Sequence, residues 1–206
     1  MSHYSRKNLG FTLTELLVSI TIASVILTVI VSSQSTYTDG VALTNLADEI
    51  SSTISQAQAY GIGVREFSPS SSEFSASYGL TFSLLGSGSD KAYLSFGDRN
   101  GNKIYDGDWS CPTGGASECL GKVDIPRGNY IESLCVVRTL GADICEVGRV
   151  DISFARPSTE AQLLFFNLGG SPFSPAGIKG AKVVLRSPGG LTRSVTVFTT
   201  GQVSVQ

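Results

Sequence analysis

Hydrophobic and polar residues follow two different patterns in the first sixty positions of the chain. From Leu16 to Val31 every residue is apolar, serine or threonine, and between Phe11 and Thr38 the only charged side chain is that of Glu15. At a rise of about 1.5 Å per residue, a helix from Phe11 to Val31 would be roughly 31 Å long, enough to cross the hydrocarbon core of a bilayer. Burying a carboxylate near the end of such a segment costs a few kcal/mol. Glu15 therefore needs a specific reason to be there.

Further along the chain the pattern becomes amphipathic. Apolar residues recur at spacings of three and four, with acidic and polar residues between them: Leu43, Leu46, Ile50, Ile54 and Ala57. We predict one helix from about Phe11 to about Tyr60, whose second half packs this stripe on a globular head. Gly61 and Gly63 are predicted to end the helix, and Gly40 is its weak point.

Beyond the helix, short alternating segments predict strands. Tyr78, Leu80, Phe82 and Leu84 alternate with small or polar residues, which is typical of a half-buried strand. Further strands are predicted at Tyr93–Phe96, Tyr130–Arg138, Val150–Phe154, Gln162–Phe166, Lys182–Arg186, Ser194–Thr199 and around Val203. One helix followed by seven or eight short strands predicts an α+β fold, with a long N-terminal helix packed on an antiparallel sheet of one or two layers.

The residues around the start of the helix carry a specific resemblance. Arg6-Lys7-Asn8-Leu9-Gly10 followed by Phe11-Thr12-Leu13-Thr14-Glu15 resembles the class III signal of type IV pilins and type II secretion pseudopilins. The resemblance implies that a prepilin peptidase cuts between Gly10 and Phe11 and that Phe11 is N-methylated. It also implies that Glu15 pairs with the N-terminal amine of a neighbouring subunit in the filament, since a buried carboxylate is tolerated when an opposite charge pairs with it.

Two other interpretations of this segment account for less. An ordinary secretory signal, cut near Ser33-Gln34-Ser35, has the same basic start and apolar core, but its core would be too long and Glu15 would have no role. A plain single-pass anchor does not need glycine, phenylalanine and glutamate in this order. The pilin signal explains all three residues.

The resemblance divides the chain into a leader peptide, 1–10, a transmembrane and filament-core helix, 11–38, the amphipathic second half of the helix, 39–63, and a β-rich head, 64–206. The end of the head, with Arg193–Val197 and Gly201–Val205, loosely resembles H-type minor pseudopilins and related minor pilins. The implied partners are other pilin subunits, the prepilin peptidase, the inner-membrane assembly platform and, before assembly, membrane lipid. The implied location is the inner membrane first and then an extracellular pilus or a periplasmic pseudopilus.

The net charge and the histidine content of the chain disfavour two classes of function, nucleic-acid binding and catalysis. The 206-residue chain has a net charge of −2, with 15 basic and 17 acidic side chains. Removing the leader takes away Arg6 and Lys7, so the mature chain has 15 − 2 = 13 basic and 17 acidic side chains, or −4. This charge disfavours bulk electrostatic binding of nucleic acid. Because the single histidine, His3, lies in the leader, the mature chain lacks a Ser-His-Asp or Cys-His constellation, and we expect no enzyme.

A polar loop follows the second predicted strand and is typical of a calcium site. Oxygen side chains recur at alternate positions, as at the start of an EF-hand loop, and calcium prefers such hard ligands. The predicted ligands are Asp98, Asn100, Asn102, Ile104 through its backbone carbonyl, Asp106 and Asp108. Gly101 lies one place earlier than the usual turn glycine, and Trp109 occupies the position of the usual bidentate glutamate. The alternative is a solvent-facing hairpin loop, because Asn-Gly is a strong turn signal.

Four cysteines in an exported chain favour disulfides over thiols. Their spacing is not Cys-x-x-Cys, which argues against a zinc or redox motif. Four cysteines allow three pairings; we favour Cys111–Cys119, closing the loop after the calcium site, and Cys135–Cys145, clasping a hairpin.

A patch that could bind DNA is suggested by four basic residues late in the chain, Lys179, Lys182, Arg186 and Arg193. Because they alternate with apolar residues, they are better explained as the solvent face of strands.

The sequence therefore favours a structural subunit of a type IV pilus or pseudopilus filament, acting in adhesion, motility, DNA uptake or type II secretion. The alternative is a membrane-anchored, calcium-stabilised extracytoplasmic binding module that does not polymerise, in which case no cleavage after Gly10 is expected.

Overall fold

The computed structural model describes residues 10–63, 76–112 and 117–206, without the side chains of residues 32, 33, 35 and 36. Most of the predicted leader and part of the predicted head lie outside these ranges. The chain divides into two compact units, one up to Thr38 and the other from Asp39 to Gln206.

A single long helix, α1, runs over Leu13–Ile62. Its first turn is capped by Thr12, whose Oγ1 accepts a hydrogen bond from the Glu15 N–H at 3.3 Å. Threonine at the cap with glutamate three residues later is the sequence of a capping box, and a negative charge in the first turn is favoured by the helix dipole. The helix ends two residues later than predicted, and Gly61, predicted to terminate it, lies within its last turn.

The first unit exposes apolar side chains throughout the segment from Phe11 to Val31. Every side chain from Phe11 to Val31 is exposed. The segment Leu13–Val31, 19 residues, is long and apolar enough to cross a membrane by length and composition. Its hydroxyl groups bond to carbonyls of the preceding turn, as for Ser19 to Glu15 at 2.7 Å and Thr28 to Ser24 at 2.8 Å. These hydroxyls therefore need no partner outside the helix, which suits an apolar environment.

The second unit contains the hydrophobic core. The predicted stripe on α1 is buried: Leu43, Leu46, Ile50, Ile54 and Ala57 are each at most 7% exposed. The stripe packs with apolar residues of the sheet, among them Leu80, Phe82, Ile152 and Val183. Within the described residues ten strands form this sheet: β1 Ser77–Ser83, β2 Ala92–Asp98, β3 Cys119–Asp124, β4 Tyr130–Arg138, β5 Ile144–Phe154, β6 Ala161–Asn167, β7 Pro172–Phe173, β8 Ile178–Arg186, β9 Thr192–Phe198 and β10 Val203–Val205.

The strands are antiparallel and follow the order β10-β9-β8-β4-β5-β1-β2-β3. The sheet branches at β5, which is the longest strand. Near its start Val147 pairs with Leu134 of β4, whereas further on Ile152 pairs with Leu80 of β1 on one side and with Leu163 of β6 on the other. The short strand β7 pairs with β6. The α+β architecture predicted from the sequence, a long N-terminal helix with a large antiparallel sheet, is confirmed.

Two details of the strand prediction were wrong. The segment predicted as a half-buried strand, β1, is buried at all seven positions. Its polar side chains bond to carboxylates of the neighbouring strands: Ser77 donates to Asp98 of β2 at 2.8 Å, and Thr81 donates to Asp151 of β5 at 2.6 Å. Both carboxylates in turn accept N–H groups of the loop after β2, which lies over this face of the sheet. In addition, the prediction of seven or eight strands missed β3 and β7, which are short and carry little hydrophobic alternation.

Candidate functional site

The predicted processing site lies in exposed, non-helical chain. Gly10 and Phe11 precede α1, and the Phe11 side chain is 75% exposed. Among the described residues, no atom lies within 4 Å of a Cβ added at Gly10. This is the arrangement that a peptidase needs to reach a scissile bond.

Glu15 has no cationic partner on its own helix. Its side chain is exposed, and no lysine, arginine or histidine occurs between residues 10 and 62. The helix therefore offers this carboxylate a favourable dipole but no opposite side-chain charge. In an apolar environment a charged carboxylate is costly to bury unless an opposite charge pairs with it, and no side chain of α1 supplies that charge.

The loop from Asp98 to Asp108 is fixed by buried carboxylates that accept its backbone N–H groups. Asp98, 2% exposed, accepts from Gly101 at 2.7 Å and Lys103 at 2.8 Å. Two further acids complete the arrangement: Glu118 accepts from Arg99 at 3.3 Å and Asp106 at 3.0 Å, and Asp151 accepts from Tyr105 at 3.1 Å. Sequence reasoning missed Glu118 and Asp151, since no local spacing connects them to the loop.

The structure brings together some of the predicted calcium ligands. The side-chain amides of Asn100 and Asn102 donate to the same oxygen of Asp106, at 2.7 and 2.6 Å. Asp98 instead faces the interior of the loop, and Asp108 accepts from the Ser110 N–H at 2.8 Å, a bond that lowers the pKa of Asp108. Among the described residues no three His, Cys, Asp or Glu side chains form a group that could hold a metal ion.

The prediction for Ile104 concerned its carbonyl; in the structure its N–H donates to the Asn102 side-chain oxygen at 2.8 Å. The two amides present nitrogen to Asp106, while their oxygens accept the N–H groups of Asn102 and Ile104 at 3.0 and 2.8 Å. Calcium binds oxygen rather than amide nitrogen. A calcium ion here would need both amides to turn.

The cysteines form two disulfides, Cys111–Cys119 and Cys135–Cys145, which is the pairing that the sequence favoured. Cys111–Cys119 ties the end of the loop to the start of β3. Cys135–Cys145 joins the neighbouring strands β4 and β5.

Two of the four late basic residues have acidic partners. Lys182 forms an ion pair with Asp143, and Arg186 forms one with Glu132. The Lys179 ammonium lies 5.5 Å from the centroid of the Phe198 ring. Because two of the four charges have acidic partners, this surface presents less positive potential than the sequence suggested.

Comparison with known protein families gives one match. The prokaryotic N-terminal methylation motif matches residues 5–31. No curated protein and no solved structure matches the chain at a significant level. The motif and the apolar helix that follows it indicate a membrane-anchored precursor of the prepilin type, and such a motif implies processing by a prepilin peptidase and assembly with other pilin subunits.

Proposed function

We propose that this chain, a precursor with a prepilin-type methylation motif, is a structural subunit of a type IV pilus or pseudopilus filament. The observation that carries the proposal is the match at residues 5–31, which includes a largely apolar segment, Phe11–Val31, in which every side chain is exposed. A monomeric soluble protein rarely exposes so large an apolar surface. The surface of Phe11–Val31 therefore needs lipid before assembly and other helices afterwards.

In this proposal the helix moves from lipid into a filament core built from the same segment of many subunits. Apolar surface is covered in both environments, so transfer of the helix does not expose it to water. The change that favours the filament is electrostatic: Glu15, which has no cation on its own helix, gains the N-terminal amine of a neighbouring Phe11. Cleavage after Gly10 creates that amine.

Two substitutions test this scheme. Glu15→Ala should be cleaved normally but should fail to enter filaments, because the charge pair is lost. Gly10→Leu should block cleavage, because a bulky residue replaces the small one before the scissile bond. Ser19→Ala, on the same exposed helix one turn later, serves as a control that should be both cleaved and incorporated. Normal incorporation of Glu15→Ala would contradict the pairing.

The second candidate function is an anchored binding module that does not polymerise. It shares the membrane helix and the ordered loop, but it needs neither cleavage nor Glu15. A mature form that starts at residue 1 and is found only in membranes would favour this candidate.

For the loop we propose a structural calcium ion bound around Asp106, with Asn100 and Asn102 turned to present oxygen. Bound calcium would further stabilise a loop whose backbone is already held in place by buried carboxylates. In the full chain in detergent, we expect heat of binding at millimolar calcium and a higher melting temperature than in EDTA. Asp106→Asn should lose both responses, whereas magnesium, which demands stricter octahedral geometry, should produce less of either. The absence of both binding heat and a shift in melting temperature with calcium would contradict the proposed calcium site.

A further inference from the structure

The chain contains six asparagines, and Asn100 is the one that precedes a glycine. Such a pair is a turn signal, and the proposed filament function makes no use of it. An asparagine followed by glycine can also react with its own backbone: the next nitrogen attacks the side-chain carbonyl carbon, Cγ, and ammonia leaves. Glycine favours this reaction because it has no side chain to hinder the ring that forms. Asn100 is therefore the asparagine at which the local sequence best permits the reaction.

The pair lies on the surface of the loop between β2 and β3. Asn100 and Gly101 are both exposed, so water reaches the side chain. Gly101 has a φ of 81°, a conformation that favours glycine, and no atom of the described residues lies within 4 Å of a Cβ added there. A ring formed between the two residues therefore has space around it.

A hydrogen bond holds the two reacting atoms within one small ring. Asn100 Oδ1 accepts the Asn102 N–H at 3.0 Å. This bond closes a turn whose ring contains both the Asn100 Cγ and the Gly101 nitrogen. The electrophilic carbon and the attacking nitrogen are thus kept close to each other, which favours their reaction. The same Asn102 N–H lies where negative charge develops on Oδ1 during the attack.

The Gly101 N–H is directed at a proton acceptor. It donates to Oδ1 of Asp98 at 2.7 Å, and Asp98 is 2% exposed. A peptide nitrogen becomes nucleophilic only as its proton leaves, so a carboxylate at hydrogen-bond distance is the base that the reaction needs. At the other end Asp106 orients the leaving group, because its Oδ2 accepts the Asn100 side-chain N–H at 2.7 Å.

We propose that Asn100 is a self-modification site, at which the folded loop promotes conversion of the asparagine into aspartate and isoaspartate. The Gly101 nitrogen bonds to Asn100 Cγ while its proton passes to Asp98. The bond from Cγ to the side-chain nitrogen then breaks, and this nitrogen takes the proton and leaves as ammonia. One water opens the cyclic imide. Breaking its bond to Cγ gives aspartate, and breaking its bond to the backbone carbonyl carbon gives isoaspartate, whose main chain runs through Cγ.

The reaction changes what position 100 presents to Asp106. An amide N–H that donates to Asp106 is replaced by a carboxylate, so a cation between the two acidic groups is favoured. Oxygen then faces Asp106 without any rotation of an amide at position 100. This consequence rests on the proposed calcium site, whereas the reaction itself does not.

The test follows the mass of the peptide that contains Asn100. The full chain in detergent with EDTA is incubated at neutral pH, either folded or unfolded in guanidinium chloride, and is digested at intervals. We expect NH2 to be replaced by OH at Asn100, at least about tenfold faster in the folded chain. Chromatography should separate an aspartate and an isoaspartate form. Asn167, exposed and followed by Leu168, is the internal control that should remain an amide.

An Asn100 that remains an amide, or that reacts no faster in the folded chain, would overturn the proposal. Asp98→Asn keeps the shape of the side chain without its charge, and it should slow the folded chain to the rate of the unfolded chain. An undiminished rate in this variant, folded as judged by its tryptophan emission, would also contradict the mechanism. If the variant does not fold, the comparison of folded and unfolded parent chain decides.

Calorimetry separates this inference from the calcium site. Asn100→Asp, which carries the aspartate from the start, should bind calcium more tightly than the freshly prepared parent chain. Asn100→Gln, whose amide is one methylene further from the backbone, should keep its amide and show no such gain. If Asn100 reacts as expected but Asn100→Asp gives no heat with calcium, the self-modification site is confirmed and the calcium site is wrong.

Discussion

The two halves of α1 share one backbone geometry but bury their side chains differently. In the first half the Ile26 side chain is 53% exposed, and the side chains from Phe11 to Val31 are exposed on every face of the helix. In the second half Ile50 is fully buried. The difference follows from the sequence pattern, because a helix that is apolar all round needs apolar surroundings on all sides, while a striped helix needs them on one side. The first half is therefore suited to partners outside this chain, and the second half to its own sheet.

The largest expected difference between the halves comes from one substitution made in each. Ile50→Ala removes buried methyl groups from the core and should lower the free energy of unfolding of the head by about 2–5 kcal/mol. Ile26→Ala in the first half should leave the free energy of unfolding of the head unchanged. Chemical denaturation of the full chain in detergent, followed by Trp109 emission, measures both. An equal decrease in the free energy of unfolding for Ile50→Ala and Ile26→Ala would mean that the first half also stabilises the head.

A smaller effect is expected at the end of α1, where helix and sheet are closest. A Cβ at Gly61 would overlap with the carbonyl oxygen of Phe154 in β5. Gly61→Ala should therefore destabilise the head by about 1–3 kcal/mol, despite the higher helix propensity of alanine. The measurement is again denaturation of the full chain. A more stable variant would show that the helix does not pack this closely on β5.

Gly40 is the matched control, since it lies in the same helix but has space. The nearest atom to an added Cβ is Leu191 Cδ1 at 3.6 Å, an ordinary contact distance. Gly40→Ala should stabilise the chain by up to about 1 kcal/mol through helix propensity. Thermal unfolding would detect this increase; a decrease would imply that the helix needs flexibility at this point.

A last effect is expected at alkaline pH, to which the first half of α1 and the head should respond differently. Nothing between Leu16 and Val31 titrates. In the head the pKa of Tyr105 is raised to about 12 from 10.0, chiefly by burial, so the unfolded chain loses this proton first. Stability due to Tyr105 is complete below pH 10 and falls between pH 10 and 12. Tyr105→Phe should show a shallower loss of stability over this range than the parent chain.

Features that depend on neighbours in sequence were predictable. The buried stripe of α1 and the strand β4 follow from local spacing of apolar residues, and the prepilin-type signal is a contiguous motif. The extent of burial in β1 was not predictable, because its second face is covered by a loop that lies beyond the next strand. Likewise Gly61 resembles a helix terminator in sequence, and its close approach to Phe154 appears only when the sheet is in place.

The same distinction applies to the loop after β2. Asn100, Asn102 and Asp106 lie within a few residues of one another, and the structure does bring their side chains together. Glu118, which directly precedes β3, and Asp151, in β5, fix the loop from a distance in sequence. The separations from the loop residues whose N–H groups they accept are 19 and 12 for Glu118 and 46 for Asp151. No spacing rule connects such residues, so the sequence indicates the polar character of the loop but not what holds it.

The central claim is that the exposed half of α1 enters a filament after cleavage at Gly10. Intact mass and N-terminal sequencing, on protein from cell membranes and from sheared surface filaments, test it most directly. The account predicts a chain that begins with N-methylated Phe11 in the filament fraction. An uncut chain, or one cut near Ser35, found only in membranes or medium, would contradict it.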